Sequence, residues 1–235
     1  MDRKLRFLCL HGYLQNSEMF RGKMGSWRKG LKSRVEFVFI DAPHVAFDAD
    51  NGTAAECGGR PGGKSWWLWT DTASTARPSK SAHYTGWEPS AVAIQLGLQE
   101  HWPVDGLLGF SQGATAIALF LAWVKTRGIE LQLPPCAILV GGFLPRDPHF
   151  AKLVQDAKPA ISALFMSGLK DTLVEPFRSE QLMSSFDPSA QLQIYHHDGA
   201  HMMPTCTGSV KQEVVDFLMS AIPKTQQNGA QEPQQ

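Results

Sequence analysis

Gly109-Phe-Ser-Gln-Gly113 separates two segments of different character. Residues 104–110 are mostly apolar and predict a short buried strand, while the alanine-rich residues 112–127 predict a helix buried on most of its surface. A G-x-S-x-G motif between a strand and a helix is typical of a nucleophile elbow, a sharp turn that exposes a serine. We therefore expect Ser111 at the carboxyl edge of a sheet, where ligands bind in open α/β folds. The alternative is an ordinary turn with a serine between two glycines.

Apolar runs alternate with helical patterns along the rest of the 235-residue chain. This alternation predicts an α/β fold with a mostly parallel central sheet flanked by helices, in one domain over residues 1–223. Residues 47–87 are rich in glycine, proline and serine and predict an irregular loop, and residues 224–235 predict a disordered tail. The other predicted strands are 5–10, 35–40, 136–140, 161–166 and 192–195, and the other predicted helices are one from Ser17 through Leu31, 88–101, 147–157, 175–186 and 207–222.

A serine hydroxyl needs a base to take its proton, and histidine is the usual one. In α/β hydrolases the order along the chain is serine, acid, histidine, which leaves the four histidines after the motif. His201 lies in a turn between the last strand and the last helix, from which it can reach the top of the sheet. His196 and His197 continue the last strand, and His149 precedes a helix. We predict that His201 is the base, with His197 as the second choice.

An acid should orient the imidazole and stabilise its cation. Asp171 follows an apolar strand in Ser167-Gly-Leu-Lys-Asp171, again at a carboxyl end, and is the predicted acid. Asp147 and Asp187 stand next to prolines and are interpreted as helix caps or turn residues. Asp198 is interpreted as shaping the turn before the histidine, and Glu175 is a weaker candidate. The alternative for Asp171 is a solvated turn residue.

The tetrahedral intermediate of ester hydrolysis needs two N–H donors for its oxyanion. One prediction is the backbone N–H of Gln112, the residue after the nucleophile. The other is the backbone N–H of Tyr13, in the loop that follows the first strand. His11 in the same loop is interpreted as a residue that shapes the loop and not as a base.

Trp66 and Trp67 stand in the irregular segment and not on a periodic face. Buried aromatic side chains most often belong to the core, and that alternative stays open here. Because these two lie outside any regular pattern, we hypothesise that they line or cover an apolar acyl pocket. Their replacement by alanine would then weaken the hydrolysis of long-chain esters more than that of short-chain esters.

The composition limits the classes of partner. Lysine and arginine total 22, as do aspartate and glutamate, so the charge gives no support for nucleic acid or an anionic membrane as a partner. Cys9, Cys57, Cys136 and Cys206 are widely spaced and form neither a disulfide framework nor a zinc pattern. The first residues lack a secretory signal pattern, and no window reaches the roughly 20 apolar residues of a membrane span. Together these features predict a cytoplasmic protein.

Five strings carry a resemblance to a known family: Phe7-Leu-Cys-Leu-His-Gly-Tyr-Leu-Gln-Asn-Ser17, Ile40-Asp-Ala-Pro43, Asp105-Gly-Leu-Leu-Gly-Phe-Ser-Gln-Gly-Ala114, Ser167-Gly-Leu-Lys-Asp171 and Asp198-Gly-Ala-His201. From about residue 5 to 220 the chain resembles the FSH serine hydrolases, which include esterases of the ovarian-cancer-associated gene 2 type. The resemblance implies an α/β-hydrolase fold without a large lid domain, with Ser111, Asp171 and His201 as the triad. It also implies carboxylesterase or thioesterase activity, often on medium or long acyl chains. The stretch between Asp71 and Trp87 departs from the family's pattern.

These residues predict hydrolysis of a small-molecule acyl ester, or of a thioester, through an acyl-serine intermediate, without a metal or organic cofactor. A non-catalytic binding protein remains an alternative, because a fold does not fix a function. A metal-dependent enzyme using His196, His197 and His201 is a second alternative. Adjacent histidines on a strand point to opposite faces, which disfavours a shared metal ion.

Overall fold

Ten strands and seven helices are present in the computed structural model, which describes residues 3–46, 62–70 and 80–222. In chain order they are β1 (Leu5–Leu10), α1 (Ser17–Lys23), α2 (Gly25–Gly30), β2 (Val35–Ile40), β3 (His44–Val45), β4 (Lys64–Ser65), β5 (Leu68–Trp69), β6 (Tyr84–Thr85), α3 (Trp87–Glu100), β7 (Gly106–Phe110), α4 (Gln112–Arg127), β8 (Cys136–Val140), α5 (Pro148–Ala157), β9 (Ser162–Gly168), α6 (Pro176–Met183), β10 (Leu192–His197) and α7 (Gly208–Ala221).

Six of the strands form a central sheet in the order β10-β9-β8-β7-β1-β2. Every neighbouring pair in it is parallel, which confirms the predicted class of sheet. From β1 the chain adds β2 on one side and then returns to add β7 and its successors on the other. The order of the strands therefore reverses between β1 and β7, and the loops that follow these two strands diverge there. Open α/β sheets bind ligands in such a crevice.

Helices cover both faces of the sheet. Alternate residues of β1 divide between two buried clusters: Leu8 and Leu10 pack with α3, α4 and α5, and Phe7 and Cys9 pack with α1, α2 and α7. Because both faces are covered, the central strands are apolar at successive positions instead of alternating with polar residues. Helix α4 is buried at every position from 112 to 124, as its composition predicted.

Two features of the chain differ from the predicted elements. The helix expected from Ser17 through Leu31 is two short helices, α1 and α2, which meet at Met24. In the segment expected to be irregular, β4 pairs antiparallel with β3, and β5 pairs antiparallel with β6. The rest of that segment, and the predicted tail, lie outside the described residues. No helix in the described ranges is both long enough and apolar enough to cross a membrane.

His11, at the end of β1, ties together the loops that follow two neighbouring strands. Its Nε2 accepts the backbone N–H of Ala42, after β2, at 3.0 Å, and its Nδ1 donates to the carbonyl of Gly12 at 2.8 Å. A ring nitrogen that accepts a backbone N–H carries no proton, so the folded protein holds a neutral imidazole. Burial lowers the pKa of His11 to about 4, although the bond to Gly12 partly opposes the change. This geometry confirms His11 as a residue that shapes the loop.

We expect acid to destabilise the fold through His11. In the unfolded chain a histidine titrates near a pKa of about 6.5, whereas folding lowers the pKa of His11 to about 4. Between these values the unfolded chain binds more protons than the folded one, so stability falls as the pH drops. The loss approaches about 3 kcal/mol near the lower value. The free energy of unfolding in urea, measured from neutral pH down to about pH 4, checks the slope.

A matched pair of variants separates this effect from general acid sensitivity. The variant His11→Asn removes the titrating ring and keeps an acceptor for Ala42, so its stability should depend less on pH than that of the wild type. The variant His149→Asn changes an exposed histidine and should keep the wild-type slope. Equal slopes in all three proteins would show that His11 does not control the acid response.

Candidate active site

Ser111 occupies the sharp turn between β7 and α4. Its backbone has φ 54° and ψ −116°, a conformation that residues with a side chain rarely adopt. Two sets of bonds hold it there: the Ser111 N–H donates to the Val140 carbonyl at 2.8 Å, and the Ser111 carbonyl accepts from Ala114 and Thr115. The residue is partly exposed, so a substrate can reach its hydroxyl. The structure thus forms the elbow that the motif predicted.

The two glycines of the motif are required by close backbone contacts. A Cβ on Gly113 would lie 2.3 Å from the carbonyl oxygen of Leu10, at the end of β1. A Cβ on Gly109 would lie 2.6 Å from the backbone nitrogen of Ala114. Both contacts are with main-chain atoms, which cannot swing aside as a side chain can. Glycine at both positions therefore allows β7 to turn directly into α4 beside β1.

His201 connects Ser111 to Asp171. The Nε2 of His201 lies 2.8 Å from the Oγ of Ser111, and its Nδ1 lies 2.6 Å from the Oδ2 of Asp171. An ionised carboxylate only accepts, so Nδ1 carries the proton and Nε2 accepts the Ser111 hydroxyl. The imidazole packs on the ring of Phe110, with centroids 5.0 Å apart, and beside Gly141, where a Cβ would lie 3.1 Å from its Cε1. The three residues predicted as a triad are thus brought together in the order that serine hydrolysis requires.

Asp171 is held as a carboxylate by the loop around it. Its side chain is 1% exposed, and burial alone would raise its pKa. The hydrogen bond with His201 opposes this effect, as do backbone N–H groups that Oδ1 accepts from Val174 at 2.8 Å and Leu173 at 2.9 Å. Together they hold the pKa of Asp171 below its ordinary value. The carboxylate is therefore charged at neutral pH beside the imidazole.

The two predicted N–H donors belong to chain segments that meet at the elbow. Gln112 is the first residue of α4, where a backbone N–H has no acceptor within the helix. Tyr13 lies in the loop after β1, and this loop packs against the elbow: a Cβ on Gly12 would lie 2.9 Å from the Phe110 ring. The helix N-terminus adds a positive partial charge at the same place. The structure thus brings the segments of both predicted donors to Ser111.

The side chain of Gln112 has a function that the sequence did not predict. It is fully buried, and its Oε1 accepts the backbone N–H of Trp66 at 2.9 Å. Its Nε2 donates to the Oγ of Ser65 at 2.9 Å and to the Trp67 carbonyl at 3.3 Å. Gln112 therefore fastens the segment 65–67 to the elbow. The sequence signal for this function is the position of Gln112. A glutamine at the start of a helix that is otherwise buried and apolar needs polar partners inside the protein.

The structure does not support the hypothesis that Trp66 and Trp67 line or cover an acyl pocket. Both side chains are 0% exposed and belong to the core. The Trp66 Nε1 donates to the His11 carbonyl at 2.8 Å, and the Trp67 ring stacks on Tyr84 with centroids 4.9 Å apart. The hydrogen bonds of Gln112 draw this segment inward, which its glycine-rich surroundings did not indicate.

The other candidate histidines and acids have different partners. His196 Nδ1 lies 2.7 Å from the Ser167 hydroxyl, and His197 accepts the backbone N–H of Gly199 at 3.1 Å. Asp147 caps α5, as predicted, by accepting the N–H groups of His149 and Phe150. Asp187 accepts the backbone N–H of Ser189 in a turn. Glu175 precedes α6, and its side chain makes no cap bond to that helix. His201 and Asp171 are thus the base and acid candidates that the fold places at Ser111.

Known proteins resemble the chain in both sequence and structure. The model of the serine hydrolase (FSH1) family matches residues 1–213. Esterase CG5412 of Drosophila melanogaster is 34% identical over 222 residues, which cover 94% of this chain and 76% of that protein. Esterase OVCA2 of Homo sapiens is 32% identical over 223 residues, which cover 92% of this chain and 96% of that protein.

Two solved structures have a similar fold at low sequence identity. Esterase PE8 has a TM-score of 0.60 at 23% identity, over 94% of both chains. The acyl-protein thioesterase 2 of Zea mays has a TM-score of 0.60 at 17% identity, over 94% of this chain and 95% of that one. Together with the parallel sheet and its flanking helices, they show that the fold is that of the α/β hydrolases. Because the family model spans most of its length and relatives above 30% identity cover nearly all of it, this chain belongs to the FSH1 serine hydrolase family.

Proposed function

We propose that this protein is a serine esterase that cleaves carboxylic esters through an acyl-serine intermediate at Ser111. The observation that carries the proposal is the unbroken chain of hydrogen bonds from Ser111 through His201 to Asp171, at 2.8 and 2.6 Å. The strained backbone of Ser111 supports it too, because strain of this kind is kept where it positions a reacting group. A binding protein on the same fold would have no need of either feature.

Acylation begins when the Oγ of Ser111 attacks the carbonyl carbon of the ester. Its proton passes to Nε2 of His201 as the new C–O bond forms, and negative charge gathers on the former carbonyl oxygen. The N–H groups of Gln112 and Tyr13 are the proposed donors to that oxygen. The intermediate then collapses, the bond to the alcohol oxygen breaks, and the alcohol leaves with the proton from His201.

Deacylation repeats these steps with water in place of the serine. Water gives a proton to Nε2 of His201 while its oxygen attacks the acyl carbon, and the collapse returns that proton to the Oγ of Ser111. The carboxylic acid is released and the enzyme is restored. Throughout, the Asp171 carboxylate keeps the Nδ1 proton in place and stabilises the imidazolium that forms twice in each cycle.

An apolar rim around this site supports medium or long acyl chains as substrates. Leu169 and Leu173 flank Asp171 at 58% and 40% exposure, and Met202 follows His201 at 49%. Phe177, at the start of α6, is 53% exposed. Exposed apolar side chains that concentrate in the loops of a site indicate a surface for an apolar ligand. We therefore place the acyl chain along this rim and not against the buried tryptophans.

The role of Ser111 is tested with a p-nitrophenyl butyrate assay. We expect the variant Ser111→Ala to lose at least about a thousandfold in kcat, and His201→Gln to lose a similar factor. Because the two residues act as a unit, the double variant should lose no more than either single one. Labelling of the wild type by a fluorophosphonate should disappear in Ser111→Ala.

The variant His197→Gln serves as the control for the base. His197 is bonded to Gly199 and not to Ser111, so its replacement should keep turnover within a few-fold of the wild type. Circular dichroism and unfolding curves must show that each variant folds. Wild-type turnover in Ser111→Ala would refute the proposed function. If His201→Gln kept its turnover and His197→Gln lost it, His197 and not His201 would be the base.

The rim is tested with p-nitrophenyl esters of increasing chain length. The variants Leu169→Ser and Phe177→Ser should lower kcat/KM for long chains relative to short ones by about fivefold each, because each removes on the order of 1 kcal/mol of apolar contact. The control Leu96→Ser changes a residue of α3 that is 57% exposed and should leave the ratio unchanged.

By contrast, Trp67→Ala should destabilise the fold by about 3–5 kcal/mol without a change in chain-length preference. If only Trp67→Ala changed the preference for chain length, the acyl chain would bind against the tryptophans and not along the rim.

A further inference from the structure

A cavity lies between the loop that follows β8 and the start of α6. It has a volume of about 380 Å³, which lies in the range of small-molecule pockets. One part of its wall is apolar and includes Leu173 and Phe177 of the rim. The other part carries the charged side chains Lys80, Arg146, Arg178 and Glu175.

The loops that form this cavity also contact two residues of the proposed triad, Asp171 and His201. Leu173 in its wall donates its backbone N–H to Asp171 at 2.9 Å. The loop after β8 begins at Gly141, against the ring of His201, and reaches the cavity at Leu144. The two loops are joined where the Ser179 hydroxyl donates to the Gly142 carbonyl at 2.7 Å. The cavity and the proposed active site therefore share two loops, one after β8 and one after β9.

The charges of the wall do not balance. Lys80, Arg146 and Arg178 carry three positive charges against the single carboxylate of Glu175. Throughout the ranges that the structure describes, none of the three cations lies within 4.0 Å of a carboxylate oxygen. Cations this close together normally share anionic partners, because like charges in a partly buried wall repel each other. Among the described residues of the wall, the positive charges therefore outnumber the negative ones by two.

Arg178 is the cation with the least satisfied surroundings. Its guanidinium carbon lies 4.9 Å from the centre of the Phe143 ring, and its Nη2 is buried without a hydrogen-bond partner among the described residues. Burial and the nearby charge of Arg146 lower the pKa of Arg178, and the carboxylates of Glu175 and Asp171 oppose this effect only in part. A guanidinium stays charged in proteins even so, and leaving a donor unpaired costs free energy. An anion that binds beside Arg178 offsets both the repulsion and the lost hydration.

We propose that this cavity binds a carboxylate group of the substrate, so that the substrates are amphiphilic esters with an apolar chain along the rim and an anionic group in the cavity. This inference rests on the proposed esterase function and adds the class of substrate to it. The planar fork of Arg178 or Arg146 matches the two oxygens of a carboxylate. A carboxylate carries a single negative charge. The carboxylate of Glu175 in the wall would repel a group of higher negative charge more strongly.

The test uses pairs of esters that differ only by methylation of the distant carboxylate. In the first pair, p-nitrophenyl hydrogen glutarate and its methyl ester place the anion on the acyl side. In the second, the butyrate esters of 4-hydroxybenzoate and of its methyl ester place it on the alcohol side. In at least one pair, the wild type should have a kcat/KM about tenfold higher for the anionic ester, as expected for a charge-assisted hydrogen bond. The pair that responds identifies the end of the substrate that carries the anion.

Three variants assign the preference to the cavity. Arg178→Met and Arg146→Met should each lower the ratio of kcat/KM, anionic over methylated, by about fivefold or more, while Arg178→Lys retains part of it. Arg146 is exposed, so its variant remains informative if Arg178→Met fails to fold. The control Arg28→Met removes a partly exposed cation at the opposite edge of the sheet and should leave the ratio unchanged. A wild type without preference in either pair, or a preference that both cavity variants keep, overturns the proposal.

Binding to Ser111→Ala separates failure of the cavity from failure of the esterase. Calorimetry on this variant compares the affinity for each anionic ester with that for its methylated partner, without turnover. If the wild type hydrolyses none of the esters but the anion binds tighter and Arg178→Met removes the difference, the esterase proposal fails and the carboxylate site stands. If neutral esters are hydrolysed and the affinities are equal in both pairs, the carboxylate site fails and the esterase stands.

Discussion

The close approach of two strands at one turn is the constraint on which the rest of this structure depends. β7 has to become α4 within one residue, beside the end of β1, and main-chain contacts leave no space for a side chain at Gly109 or Gly113. Ser111 between them adopts a strained conformation that costs on the order of 1–3 kcal/mol. Two features prevent Ser111 from leaving this conformation. Its N–H is bonded to β8, and the helix that follows it is buried from 112 to 124. The core thus fixes the position of one hydroxyl.

The topology of the sheet then brings the partners of that hydroxyl to it. Because the strand order reverses between β1 and β7, the loop with Tyr13 meets the elbow from one side. The loops after β9 and β10 supply Asp171 and His201 from the other. Each of these loops is tied down: Asp171 accepts two backbone N–H groups, and His201 packs on the Phe110 ring. A charged, buried acid then determines which nitrogen of His201 carries the proton. Three side chains that are far apart in the sequence are therefore joined in one chain of hydrogen bonds.

Much of this could be predicted from the sequence, because the relevant signals are local. Apolar runs marked the six central strands, and a motif placed between a strand and a helix marked Ser111. The positions of Asp171 and His201 followed from their places after strands. Other features depend on contacts between distant segments. The two-residue strands β3 to β6 are too short to show periodicity, and the break at Met24 interrupts an otherwise regular helical pattern. The burial of Trp66 and Trp67 depends on Gln112, whose hydrogen bonds no local pattern reveals.

The loops that hold the proposed triad also form the proposed substrate surface, which limits how far either can change alone. The segment from Asp171 to Arg178 holds the proposed acid and two residues of the apolar rim. It also holds a cation with one donor that has no hydrogen-bond partner in the described part of the chain. Its start is fixed by hydrogen bonds to Asp171, and its end is fixed by Ser179, which donates to Gly142. A shift of this segment that opened the cavity would also move the carboxylate away from His201. The proposed way for the scaffold to accept different substrates is therefore the exchange of side chains along the rim, such as those of Leu173 and Phe177. Both side chains are exposed, and Leu173 contributes only its backbone N–H to the hydrogen bonds of Asp171.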